Sequence, residues 1–356
     1  MREDIIFRSS TLKLSIEVGR YLGGNLPAML EFVKGAERLG VHSAWAGEAW
    51  GQDSATALAF LAGQTERIKL GAGILQISAR APSMTAMTAL SLNALSKGRF
   101  LLGLGVSGPQ VVEGLHGVPY GKPLTRLRET VEICRTAFAG ERLQYEGTVF
   151  TLPLPGGEGK AIRLDHEPAD IPIYLATLGP NALRYTGSAA DGWLGTSFSP
   201  DHPDAHIGYI KAGAEAAGRS LADININVSA RVEIGDDVDS MIQRRKRVVA
   251  FTMGGMGSAK TNFYNAAFQR AGFQEDALAT QSLWMAGKRD EAAARVPDAM
   301  VTQFQLIGTE DMVRERLQAY RDAGVTVLKL GLDGTPLGHE RLALLENVAD
   351  MVETLA

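Results

Sequence analysis

The chain has 356 residues, 45% hydrophobic and 21% charged, with a formal net charge of -4 at pH 7. That composition supplies a sizeable core and excludes a disordered chain, while the slightly acidic balance excludes a broad electrostatic grip on nucleic acid or anionic lipid, which needs a basic face. With Cys134 as the single cysteine, an intrachain disulfide and a cysteine-rich metal site are excluded, and no unbroken apolar run reaches the roughly 18 residues that a membrane-spanning helix requires.

The opening residues, MREDIIFRSS, carry neither a long apolar stretch nor a small-residue cleavage site, so a cytoplasmic enzyme is expected. Leu12 to Gly19 then reads as a strand and Leu26 to Leu39 as a helix, with Leu30, Val33, Ala36 and Leu39 on its inner stripe and Gly40 as its stop. Ser43 to Glu48 is a second strand, Ala55 to Gln64 a helix, and Ile68 to Ile74 a third strand. Met84 to Leu95 is a helix closed by Gly98, and Phe100 to Ser107 is strand four. After a helix around Thr125 to Phe138 comes a Gly- and Pro-rich stretch, Gly140 to Pro172, too long for an ordinary connection and expected to hold a small excursion. Cys134 falls in that helix and reads as a small buried packing residue.

Ile171 to Thr177 is strand five, Asn181 to Ala190 its helix, and Gly192 to Thr196 strand six. A helix near Asp204 to Gly218 precedes strand seven, Ile224 to Ile234; Thr326 to Leu332 is strand eight and His339 to Leu355 the closing helix. Such alternation permits a closed barrel or an open doubly wound sheet, and eight units favour the barrel. The expected fold is therefore an α/β, (β/α)8 TIM barrel with insertions. It is read as one domain over residues 1–356, with the main insertion at 235–308. In such a barrel the functional residues cluster at the C-terminal ends of the strands. Here these are Gly47 to Trp50, Gly73 to Ser78, Val106 to Gln110, Thr177 to Asn181, Thr196 to Ser199 and Leu332 to Thr335.

Two motifs mislead. Gly103-Leu-Gly105-Val-Ser-Gly108 matches the dinucleotide fingerprint but opens the fourth unit instead of the first, and Pro109 interrupts the place of the phosphate-bearing helix. Its glycines read better as a tightly packed strand whose end sets Val106, Ser107 and Gly108 against a flat ring. Gly254 to Thr261 nearly fits the phosphate-binding loop, yet Ala259 stands where the second glycine belongs; a loop over the barrel mouth is the better reading. The best anion site is Thr177-Leu178-Gly179-Pro180-Asn181, where Gly179 permits close backbone approach and Pro180 suits a first helical turn whose N–H groups face outward. Six histidines show no metal-ligand spacing, so no metal is expected; His116 is a candidate acid or base at the mouth. Glu48, at the end of strand two, is the candidate catalytic carboxylate, because charge there is costly unless solvated or used.

The stretches IKLGAGILQISARAP, LSKGRFLLGLGVSGPQVVEGLHGVPYGKPLTRLRETVEICR, IPIYLATLGPNALRYTGSAADGW and GGMGSAKTNFYNAAFQRAGF resemble the bacterial luciferase-like flavin and deazaflavin oxidoreductases. Within them they resemble the branch that uses coenzyme F420. The resemblance implies hydride transfer between F420 and a small organic substrate, with an FMN-dependent monooxygenase as the alternative and a non-catalytic flavin-binding protein as a third reading. It implies a cis peptide joining Gly73 and Ile74 in a bulge that props the cofactor ring, near Gln76, with Glu48 beside the ring and Val106, Ser107 and Gly108 along its edge. Thr177 to Asn181 match the segment that holds the cofactor phosphate, and a homodimer or homotetramer is implied. One departure stands out: the sugar-phosphate dehydrogenase branch has His and Glu where this chain has Ala49 and Pro109. Glucose-6-phosphate oxidation is therefore not expected.

Overall fold

The structure is a computed structural model that describes residues 12–19, 25–257 and 262–355. Its fold class is the expected (β/α)8 barrel. The parallel strands are β1 (Lys13–Glu17), β2 (Ser43–Ala46), β3 (Lys69–Ala72), β4 (Phe100–Gly105), β5 (Ile173–Ala176), β6 (Gly192–Gly195), β7 (Asn225–Ile234) and β8 (Val327–Gly331). Every residue of β4, FLLGLG, is buried, as befits a parallel strand covered on both faces. Among the described residues no helix is long and apolar enough to cross a membrane.

Two compact units divide the strands, and β2 to β5 belong to the unit formed by 18–37 and 43–176. Its pairing runs β2-β3-β4-β5, with Ser43 opposite Lys69, Leu70 opposite Phe100 and Leu102 opposite Ile173. Its helices are α1 (Leu26–Arg38, all but its last residue), α2 (Ser54–Ala62), α3 (Pro82–Leu95) and α4 (Pro123–Phe138). Proline occupies the first turn of α3 and α4, where its missing N–H is no loss, so both helices begin two residues before the positions read from apolar spacing. The core of this unit centres on Trp45, fully buried, whose indole N–H donates to Ser43 Oγ at 2.9 Å and whose ring meets Tyr174 edge-on at 5.3 Å. A Cβ at Gly71 would collide with that indole. Cys134 is buried against α3, its thiol pushed up to about 12 by desolvation, which makes it a packing residue. The long stretch after α4 holds a two-stranded antiparallel hairpin, Tyr145 to Leu152, whose turn is pinned by the Glu129 carboxylate accepting N–H bonds from Thr148, Val149 and Phe150.

The other unit contains 12–17, 38–42 and the described residues from Thr177 onward. Here β8 lies between β1 and β7, with Lys13 and Asn227 both opposite Val327, and β7 also pairs with β6. The last residues of β7, Val232 to Ile234, take a further parallel partner, Leu306–Gly308, a strand the apolar spacing did not mark. Helices α5 (Pro180–Ala189) and α6 (Ile207–Ala216) touch backbone to backbone: a Cβ at Gly187 would collide with Ile210 O, and one at Gly213 with Arg184 O. This unit centres on Trp193, buried against Phe198 and His206. After β7, helix α7 (Val238–Gly254) and the helical run through Phe263–Phe268 and Gln274–Met285 bury Met241, Val249, Met253, Phe268 and Ala277 in a cluster of their own. Of the near-match to a phosphate-binding loop, residues 258–261 lie outside the described residues.

Candidate active site

In the first unit, the chain leaves β2 through Gly47 and places Glu48 at the strand's C-terminal end, its side chain 10% exposed. Burying a carboxylate so far costs several kcal/mol unless it is paired. The pair is Arg80, whose Nη1 and Nη2 donate to Glu48 Oε2 and Oε1 at 2.8 and 2.7 Å, a two-point fork of the kind guanidinium geometry favours. Arg80 also donates to Asp53 Oδ1 at 2.6 Å, and Asp53 in turn caps α2 by accepting the Thr56 N–H at 2.6 Å. The Glu48 hydrogen bond and both carboxylates outweigh burial and raise the guanidinium's affinity for its proton. For Asp53, burial works toward a higher value, but the bonds from Thr56 and the charge of Arg80 hold its carboxyl below the usual range.

Glu48 Oε2 also accepts the backbone N–H of Gln76 at 3.1 Å. Gln76 lies just past the bulge that follows β3, where a cis peptide joins Gly73 and Ile74. Pairing with β4 resumes there, Leu75 opposite Leu104 and Gln76 opposite Gly105. The Ile74 side chain fills the space in front of Gly105, where a Cβ would collide with Ile74 Cδ1, which explains a glycine at that position. The buried Gln76 amide donates to the carbonyls of Glu48 and Ala49 at 3.0 and 3.2 Å, and its Oε1 lies 3.2 Å from His116 Nε2. At the end of β4, Val106, Ser107 and Gly108 are half-buried. Ser107 takes φ +58°, a conformation costly for a side-chain-bearing residue, and its carbonyl accepts the Tyr120 hydroxyl at 3.3 Å. The Tyr120 phenol is raised above its ordinary value by burial and by the charge of Glu113. Glu48, Gly73, Ile74, Gln76, Val106, Ser107 and Gly108 thus all stand at strand ends of this one unit, as barrel geometry requires of functional positions.

Thr177 to Asn181 belong to the other unit. Thr177 is buried, its hydroxyl 2.7 Å from Thr186 Oγ1, and its carbonyl accepts the Trp193 indole N–H at 2.9 Å; its role is to seat the turn. The Leu178 carbonyl accepts Arg270 Nη2 at 2.6 Å. With both carbonyls held from within, Gly179 enters α5 as its N-cap and Pro180 takes the first helical position. The N–H groups of Asn181 and Ala182, in the first turn, have no carbonyl within the helix to bond. Among the described residues, the one atom that a Cβ at Gly179 would meet within 4 Å is Phe263 Cδ1, at 4.0 Å. Little crowding, first-turn donors and the positive end of a helix dipole suit a phosphate group.

Apolar spacing and motif reading singled out Glu48, Gly73 to Ser78, Val106 to Gly108, His116 and Thr177 to Asn181, but not Asp53, Tyr120 or the two cations, Arg80 and Arg270, that hold these segments. Arg80 stands just beyond the segment Gly73 to Ser78 singled out at the mouth, and its being cationic was the available signal. Arg270 is 92 residues from its partner Leu178, and no local pattern announces such a contact.

The family model described as luciferase-like monooxygenase matches residues 11–327. A Mycobacterium tuberculosis protein that carries the name of a coenzyme F420-dependent oxidoreductase is 38% identical over 327 residues, 89% of this chain and 94% of that protein. The 5,10-methylenetetrahydromethanopterin reductase of Archaeoglobus fulgidus is 30% identical, covering 87% of this chain and 90% of its own. Among solved structures, the coenzyme F420-dependent tetrahydromethanopterin reductase from Methanopyrus kandleri superposes with a TM-score of 0.78 at 25% identity, over 98% of this chain and 100% of that one.

Proposed function

The chain belongs to the luciferase-like monooxygenase family, and from that membership we propose that it is a coenzyme F420-dependent oxidoreductase transferring a hydride between the deazaflavin and a small organic substrate. The observation that carries the reading is the 38% identity, over nearly the full length of both chains, with a relative named for that cofactor. When bound, a deazaflavin supplies or accepts two electrons together as a hydride, and the protein's share is binding, orientation and electrostatics. Ile74, braced in front of Gly105, offers the ring an apolar prop, and Val106, Ser107 and Gly108 border it. Glu48, its two oxygens engaged by Arg80, fixes the strand ends on which the ring rests. By itself, the Gly179 to Asn181 turn offers first-turn N–H donors to a phosphate.

Relatives named F420-dependent glucose-6-phosphate dehydrogenases match about half to three-fifths of the chain, at 28% and 26% identity. At the two positions where that reaction's base and acid belong, this chain has Ala49 and Pro109, and neither side chain carries a transferable proton. The substrate is therefore a different one, reduced or oxidised at a carbon centre. Parallel titration with coenzyme F420 and FMN, followed by tryptophan quenching, checks the cofactor. Micromolar or tighter binding of the deazaflavin, with weaker FMN binding, is expected; preference for FMN would replace this reading with a flavin monooxygenase.

The enzyme is further proposed to work as a homodimer through α2 and α3. The inner face of α3 is buried through Thr85, Ala86, Ala89 and Leu92, yet Met84, Met87 and Leu95, on the opposite side, are about half exposed, and so in part is Phe60 of α2. A helix apolar on both sides is buried on both sides in its working state. Sedimentation equilibrium is expected to return twice the chain mass for the wild type and the chain mass for Met84→Glu/Met87→Glu. A monomeric wild type at micromolar concentration would remove the proposal.

A further inference from the structure

His116 plays no part in the cofactor contacts above, and its surroundings prepare it for proton transfer. It sits in the loop after β4, beyond a single helical turn, Pro109–Val112, and the loop is tied down by the Leu115 and His116 N–H groups donating to Val111 O and by Val118 N–H donating to Val112 O. Gly114 permits this tight path, since a Cβ there would collide with the Gln110 carbonyl. The ring is half exposed.

The protonation state of that ring follows from its neighbour. Gln76 Nε2 lies 3.0 and 3.2 Å from the carbonyl oxygens of Glu48 and Ala49. Carbonyls only accept, so the amide nitrogen must face them; turned over, the Gln76 oxygen would oppose two other oxygens. Gln76 Oε1 therefore faces His116 Nε2 at 3.2 Å, and an oxygen without a proton can only accept. The imidazole nitrogen facing it must be Nε2–H. In the neutral ring this leaves the lone pair on Nδ1, which has no partner among the described residues. The clamp is rigid at its far end as well, because the Gln76 N–H is held by Glu48 and Glu48 by Arg80.

We propose that His116, locked by Gln76 as the Nε2–H tautomer, is the proton-handling catalytic residue of this site, with Nδ1 as the working atom. The proposal rests on the hydride-transfer reading. In the direction of substrate oxidation, a carbon–hydrogen bond breaks and its electron pair leaves with the hydrogen for the deazaflavin. The proton of the adjacent O–H or N–H passes to Nδ1, a carbon–heteroatom double bond forms, and the imidazolium later gives that proton to water. Reduction runs the same steps backward. Gln76 is the positioning residue.

Three measurements on the full chain decide it. The 15N spectrum of uniformly labelled protein, with the His116 signals identified by their loss in His116→Gln, is expected to show, for the neutral ring, protonated Nε2 and unprotonated Nδ1. An Nδ1–H tautomer, or an even mixture, would overturn the proposal whatever the cofactor. Carbethoxylation by diethyl pyrocarbonate, located by peptide mass spectrometry, is expected at His116 and not at fully buried His206, which serves as the internal control. F420 at ten times its Kd should slow the His116 reaction roughly tenfold, as the cofactor-free fraction falls to about one-eleventh. If F420 binds and His116 reacts undiminished, the inference fails; if F420 does not bind, the cofactor reading fails and the tautomer decides His116 separately. On whichever ketone, imine or alcohol the wild type converts, His116→Gln is expected to lose about 100-fold or more in turnover with F420 affinity unchanged, and equal rates would overturn the role.

Discussion

Arg80→Met is expected to destabilise the protein by about 3 kcal/mol or more and to abolish tight cofactor binding. The guanidinium is the counter-charge of both Glu48 and Asp53, with side-chain exposures of 18% for Arg80 and 10% for Glu48. Removing the cation while keeping its aliphatic stem leaves a carboxylate in a place where water reaches it poorly, and an uncompensated buried charge costs far more than the intact pair contributes. The stranded carboxylate then swings toward water, which releases the N–H of Gln76, and with it the end of the bulge that carries Ile74. Chemical unfolding followed by fluorescence measures the first effect. The double replacement Arg80→Met/Glu48→Gln should recover a large part of the loss, since the stranded charge is gone. A single variant within about 0.5 kcal/mol of wild type would show that the pair contributes little and that the bulge is held by other contacts. Glu48→Gln alone keeps a polar group of the same shape and should slow turnover more than it unfolds the chain.

Gly179→Leu is expected to do the opposite: to cost the fold about 1 kcal/mol or less while weakening F420 binding about 10- to 100-fold. The residue sits at φ -77° and ψ 148°, extended backbone that leucine adopts without strain. Its Cβ would have ordinary room, with Phe263 Cδ1 at 4.0 Å as its nearest neighbour. The folding cost is then limited to a poorer N-cap. The expected binding cost is larger because an isobutyl group at the N-cap of α5 would crowd a phosphate approaching the first-turn N–H groups. Charge-assisted hydrogen bonds are each worth about 1.5–3 kcal/mol, and every 1.4 kcal/mol is a factor of ten in Kd. Isothermal titration with F420 beside a thermal melt separates the two quantities. Unchanged affinity with a normal melt would take the turn out of the cofactor site.

The two expected effects differ for a physical reason. At Glu48 the fold depends on the side chain itself, since a charge placed at the end of β2 must be answered by another charge. At Gly179 the expected effect on binding comes from an absence, a missing side chain that the fold does not need. His206 is a third case: buried against Trp193 and Phe198, with its pKa lowered to about 3 by desolvation and by the charge of Arg270, it stays neutral and has no proton to offer near neutrality. In sequence neither His116, in the loop after strand four, nor His206, at the start of the helix read near Asp204 to Gly218, carries a mark that tells a base from a packing residue. Burial alone separates a packing residue from a candidate base.

The alternation of apolar strand and amphipathic helix was decided by the sequence itself. Parallel strands buried on both faces must be continuous apolar runs, and helices that cover them must be apolar on a 3.6-residue period, so the fold class and the strand ends can be read locally. For the same reason Glu48, Ser107 and the Gly179 turn were legible as polar or conformationally special residues at the ends of apolar runs. Element boundaries were less so: α3 and α4 start at Pro82 and Pro123, earlier than the apolar period shows, because proline begins a helix without adding to its apolar stripe. The short pairs at Tyr145 to Leu152 and Leu306–Gly308 were missed because so few residues establish no period. Only the tertiary structure decided which charge answers which. Arg80 and Glu48 are 32 residues apart, His116 and Gln76 are 40 apart, and Arg270 and Leu178 are 92 apart. Local periodicity reports which face of an element is buried, whereas a hydrogen bond between distant side chains exists only once the strands have been brought into register.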